Sequence, residues 1–141
     1  MDAREYFEGV VVPSYTQFKL RRDFYSLKNA LASMDDASEH LALHQLGYAQ
    51  VSKKALAQET RNIRGKFSSL KDLHSCNNTL KHGRSIRDYR GGKFKTTGTS
   101  TSIDINDPTT WKGPRNLDLA QVLHSGFATL NSFPVLNTPS T

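Results

Sequence analysis

The strongest constraint on this chain is the stretch from Asp23 to Leu46, which contains neither proline nor glycine. Phe24, Leu27, Leu31, Met34, Leu41 and Ala42 recur along it at helical spacing. That period predicts one long amphipathic helix. Asp23 suits its N-cap, and Gly47 suits the position just past its end. A helix of this length is stable in water only when its apolar face lies on other elements, so the stretch predicts a bundle around it.

The partners of that helix have weaker patterns. Tyr6, Phe7, Val10, Val11, Tyr15 and Phe18 predict a first helix over about 3–19, in which Pro13 either bends the axis or begins a second segment. Residues 52–64 predict a short basic helix capped by Ser52 and ending near Gly65. Residues from 68 or 69 to 82 predict another, with Leu70, Leu73, Asn77 and Leu80 on its buried side. A last helix is expected over about 116–132, burying Leu117, Ala120, Val122, Leu123, Phe127 and Leu130, with Phe133 just beyond.

Between these last two helices the pattern changes. Residues 85–115 are rich in Gly, Thr, Ser and Pro, and Arg90-Gly-Gly-Lys93 is a turn signal. A hairpin of Ile86–Tyr89 with Phe94–Thr97 is expected, and Thr101–Ile105 can add a strand. The fold expectation is therefore an all-α bundle of four or five helices with a small β-hairpin excursion before the last helix. Residues 1–133 are expected to form one domain, and 134–141 a flexible tail.

Charge is unevenly spread. Residues 1–52 carry five Lys/Arg against seven Asp/Glu, residues 53–95 twelve against three, and residues 96–141 two against three. The net charge of +6 is thus concentrated in a middle block. Such a block can gather phosphates, or simply form a solvated face. The single cysteine, Cys76, excludes an internal disulfide, and with no signal peptide the expectation is a cytoplasmic protein. No apolar run is long enough to span a bilayer.

The candidate chemistry sits in Leu73-His-Ser-Cys-Asn-Asn-Thr-Leu-Lys-His-Gly-Arg84. His74, Asn78 and His82 fall at i, i+4 and i+8, along one helix face. Asn and His are poor helix formers, so their presence points to contacts that their side chains make. His82 could act as acid or base, Lys81 could stabilise negative charge, and Asn78 could orient the imidazole. Arg61, Arg64, Lys81, Arg84, Arg87 and Arg90 are the candidate phosphate-binding residues. His40, His74 and Asn77 are candidates for a polar pocket, with His40 facing Asn78 and His82 across the bundle. The alternative for these groups is mutual satisfaction inside the bundle.

Other chemistries have less support. His40 and His44, at i, i+4, could share a metal ion, but no carboxylate-rich partner helix is visible, so neither metal nor cofactor is expected. Cys76 beside His74 and Lys81 could be activated, although a lone cysteine more often packs as a small hydrophobe. Tyr89, Phe94 and Trp111, set among basic residues, could stack on single-stranded nucleic acid or cover the open side of the bundle.

Three segments carry a family resemblance: Val12-Pro-Ser-Tyr-Thr-Gln-Phe18, the helix around Asn29-Ala-Leu-Ala32 and Glu39-His-Leu41, and Cys76-Asn-Asn-Thr-Leu-Lys-His82. Together they resemble the HEPN superfamily of helical proteins, over roughly residues 3–133. The resemblance implies His82 as the motif histidine and a homodimer that pairs the motif across a two-fold axis. Ribonucleases of that superfamily place an arginine where this chain has Ser75, Cys76 and Asn77. The expectation is a non-catalytic HEPN-like protein binding RNA, a nucleotide or a protein partner. The alternative is a metal-independent ribonuclease of the toxin or phage-defence type, using His82.

Overall fold

The computed structural model describes residues 1–81, 84–85, 93–95 and 102–137. The chain begins with α1 (Ala3–Tyr6), a π-helical turn (Phe7–Val11) and α2 (Val12–Arg21), which run on as one helix. Asp2 caps its start, accepting from the Glu5 amide at 2.8 Å. Pro13 falls just after the π turn, in the first turn of α2. A proline inside a helix lacks the amide for the i→i−4 bond and crowds the carbonyl one turn back. Here the Val12 amide reaches back to the Phe7 carbonyl. The widened turn accommodates the ring, the second α-helical segment starts at Val12 with Pro13 in its first turn, close to where one of the two alternatives puts it, and the helix runs to Arg21 rather than about 19.

Arg22 and Asp23 make the connection to α3 (Phe24–Gln45). Arg22 takes a left-handed conformation, φ 54°, with its amide bonded to the Phe18 carbonyl at 2.7 Å. The Asp23 carboxylate accepts from the Ser26 amide at 2.7 Å, and Gly47 (φ 80°) follows the C-cap Leu46. Both ends match the sequence pattern. In α4 (Lys53–Lys66) Ser52 caps the first turn at 3.1 Å from the Ala55 amide. Gly65 lies inside α4 rather than ending it; the extended backbone of Phe67 makes the break before α5 (Ser68–Lys81).

The excursion is a three-stranded antiparallel meander of β1 (Arg84–Ser85), β2 (Lys93–Lys95) and β3 (Ser102–Asp104). Ser85 pairs with Phe94, and Phe94 with Ile103. The strand expected over 86–89 lies outside the described residues. Trp111 is buried, donates its indole N–H to the Asp104 carbonyl at 2.9 Å and meets Phe24 edge-on. It is therefore a core residue, closing the bundle's open side. Asp118 caps α6 (Leu119–Asn131), so this helix starts three residues later than expected. Residues 134–137, expected to be loose, form a short turn, α7 (Pro134–Asn137), which buries Leu136 against α1.

The result is an all-α bundle with α3 at its centre, touching α1, α2, α4, α5 and α6. Leu27, Leu31, Met34 and Leu41 from α3 meet Leu70 and Leu73 from α5 and Leu123 and Leu130 from α6, all within 1% exposure. Among the described residues, no helix is long and apolar enough to cross a membrane.

Candidate functional site

The polar centre of the bundle is Asp35, a residue the sequence reading did not single out. It sits on the face of α3 that carries Leu31 and Met34 and is 5% exposed. A lone carboxylate there would be expensive to bury. Three neighbours compensate it. The Arg64 guanidinium from α4 lies 2.8 Å from one carboxylate oxygen and also donates to the Asp35 main-chain carbonyl at 3.1 Å. From α5, the Asn77 side-chain amide donates at 2.9 Å, and His74 Nδ1 lies 3.2 Å from both oxygens. One carboxylate thus ties three helices together. Its sequence signal is a charged residue within a helical stripe otherwise made of apolar residues and serines.

This arrangement corrects the expected roles of several residues. Arg64 braces the interior, and its half-buried guanidinium is not free to hold phosphate. His74 and Asn77 do form a polar cluster, but around Asp35 and not around His40. His40 lies one turn further along α3, where its ring stacks on Tyr6 at 3.9 Å. Its Nδ1 is buried and has no hydrogen-bond partner among the described residues. Burial therefore lowers the His40 pKa, against the opposing charges of Asp36 and Glu39. The same burial and the nearby carboxylates Asp36, Glu39 and Asp35 push the Tyr6 phenol up to about 12. Asp36 is raised too, by desolvation first and then by Asp35 and Glu39, while His40 and Lys81 work the other way.

Cys76 faces the core and is fully buried. Burial, with a further contribution from Asp72, pushes its thiol up to about 12, so it is no nucleophile. Gly113 lies over it: a Cβ there would come within 2.9 Å of the Cys76 sulfur. Asn77, expected on the buried side, is only half-buried, and Cys76 takes its place in the core.

The outer side of α5 is different. Lys71 and Asn78 stand seven residues apart on it, both exposed, and Lys81 is exposed at its last turn. Lys81 is close enough to Asp36 for its charge to act on that carboxyl. Next to α5, α4 exposes Lys53, Lys54, Arg61 and Lys66. The part of the basic middle block up to Lys81 is therefore spread over two adjoining helices. Of the other candidates, Arg84 contributes its backbone to β1, and His82, Arg87 and Arg90 lie outside the described residues. Comparison with protein-family models, with curated proteins and with solved structures found no match for this chain.

Proposed function

We propose that this chain is a HEPN-like, non-catalytic RNA-binding protein that holds the phosphate backbone on the exposed face of α4 and α5. One observation carries the reading: the carboxylate at the centre of this region, Asp35, is turned inward, paired with Arg64 and in hydrogen-bond contact with His74 and Asn77, while Arg61, Lys71, Asn78 and Lys81 face solvent. Lysines and arginines on a face of this kind contact phosphates, and Asn78 can add a hydrogen bond to phosphate or ribose. The tying of Arg64, His74 and Asn77 to Asp35 favours binding over catalysis, because these polar groups already have structural duties. His82 follows Lys81 directly in the sequence and lies outside the described residues. Pairing of two copies along α5 belongs to the proposal, as the HEPN resemblance implies.

The test is fluorescence anisotropy of a labelled single-stranded RNA with the full chain at several salt concentrations. Binding that weakens steeply with salt is expected, and Lys81→Ala should lower the salt slope by about one unit. No saturable binding at low salt would overturn the proposal. Loss of intact RNA in the presence of EDTA, abolished by His82→Ala, would replace it with a ribonuclease. Sedimentation of the free protein as a monomer at all concentrations would remove the pairing.

A further inference from the structure

A second region has the makings of a ligand site, away from the Asp35 cluster and independent of the RNA reading. A cleft of about 420 Å³ opens where the end of α2 meets the 108–118 segment and the start of α6. Its volume falls in the range of small-molecule sites, roughly 300–1,000 Å³. Its apolar walls are Phe18 and Trp111, both buried core residues. Lys19, Arg22 and His124 bring basic groups to it, and Asp118 is its carboxylate. Asp118 is already engaged: one oxygen caps α6 at 3.0 Å from the Gln121 amide, and the other lies 3.4 Å from the Lys112 ammonium. The cleft is therefore cationic in balance, with an aromatic lining.

Two further features point the same way. Arg22 is held at φ 54°, a left-handed conformation that non-glycine side chains disfavour and that strained backbone takes at ligand sites. His124 Nδ1 lies 2.5 Å from the Tyr15 hydroxyl. Burial raises the Tyr15 pKa, which keeps the phenol protonated and able to donate. This contact fixes the His124 ring at the edge of the cleft, where an imidazole nitrogen can hydrogen-bond an anion.

We propose that this cleft binds a small organic anion with an aromatic ring, the ring lying against Phe18 and Trp111 and the anionic group meeting Lys19, Arg22 and His124. Beside the cleft, Lys19 Nζ stands 4.7 Å from the Tyr15 ring centre.

The chain's single tryptophan lines the cleft, so its fluorescence reports occupancy. Phenyl phosphate titrated into the full-length protein is expected to change Trp111 emission saturably. Inorganic phosphate should bind at least about tenfold more weakly, since it lacks the ring. Lys19→Ala and Arg22→Gly should each weaken phenyl phosphate by at least about tenfold, as loss of a charge-assisted contact does. Arg22→Gly is the more decisive variant, because its backbone preference matches the left-handed position and the fold is retained. No saturable change up to about 10 mM phenyl phosphate would overturn the proposal. So would unchanged affinity in both variants, or inorganic phosphate binding as tightly as phenyl phosphate.

Discussion

Asp35 of α3 and Arg64 of α4 meet at 2.8 Å inside the bundle, and the same guanidinium also holds the Asp35 main-chain carbonyl. Removing one member of such a pair strands the charge of the other. Asp35→Ala is therefore expected to destabilise the fold by about 3–5 kcal/mol in urea unfolding. A double-mutant cycle with Arg64→Ala should show coupling of roughly 0.5–3 kcal/mol. Additive losses from the two single changes would sink the idea that the pair acts as one unit.

Gly126 of α6 faces Leu73 of α5 so closely that a Cβ would overlap the leucine side chain. Alanine is the better helix former by about 1 kcal/mol, which would favour Gly126→Ala if the helix stood alone. Leu73 is 1% exposed and has nowhere to move, so overpacking of about 1–3 kcal/mol decides the sign. Gly126→Ala should lower the thermal midpoint, and Leu73→Val in the same chain should restore part of it. A raised midpoint in the single variant would show that the α5–α6 contact can open.

Cys76 gives a chemical readout of core integrity. Buried beneath Gly113, with its thiol pushed up to about 12, it should not react with a thiol reagent at neutral pH in the native protein. Reaction should become complete in denaturant. Rapid stoichiometric labelling of the native chain would contradict the packing.

His40 makes stability depend on pH in a known direction. Its folded pKa lies below the ordinary 6.5, so the folded state binds this proton less readily than the unfolded chain. Its stabilising contribution is present above about pH 6.5 and is lost as pH falls toward the lowered value. Wild type should therefore lose more stability between about pH 6.5 and 5 than His40→Phe, which keeps the stacking on Tyr6. Parallel pH curves for the two proteins would remove His40 from the account.

Asp36 works in the opposite sense. Its raised pKa means that the carboxylate opposes folding at neutral pH, a penalty relieved as acid protonates it. Because Asp36 is exposed, solvent screens the effect, and Asp36→Asn should stabilise by only up to about 0.5 kcal/mol at pH 7. A clear loss of stability would mean that its attraction to Lys81 and His40 outweighs the crowding with Asp35 and Glu39.

The sequence reading of this fold was most accurate where local chemistry decides the structure. Asp23 and Ser52 cap helices because their side chains reach the amides that each first turn leaves unpaired, and Gly47 takes the left-handed position that ends α3. Near Gly65 the helix does end, at Lys66, although the break itself is made by the extended backbone of Phe67, since glycine only weakens a helix. The site was less legible. His74 and Asn77 stood out as unusual helix residues, but their partner Asp35 lies 39 and 42 positions away. Sequence spacing measures neighbours along one helix and carries no information about which carboxylate crosses from another. His40, expected to face Asn78 and His82 across the bundle, stacks on the ring of Tyr6 instead, a partner 34 positions away that spacing along one helix cannot reveal.

The π turn of the first helix also sets a rule for its length. Ala3, Phe7, Val11 and Tyr15 are all buried although they recur every four residues. In a regular helix each such step would carry the face round by about 40°. The extra residue in the turn takes up that drift and returns Tyr15 and Phe18 to the line of Ala3. A chain one residue shorter at Gly9 would keep this alignment as an ordinary helix, at the cost of crowding Pro13. The same deletion at Gln17, beyond the turn, would swing Phe18 away from the core.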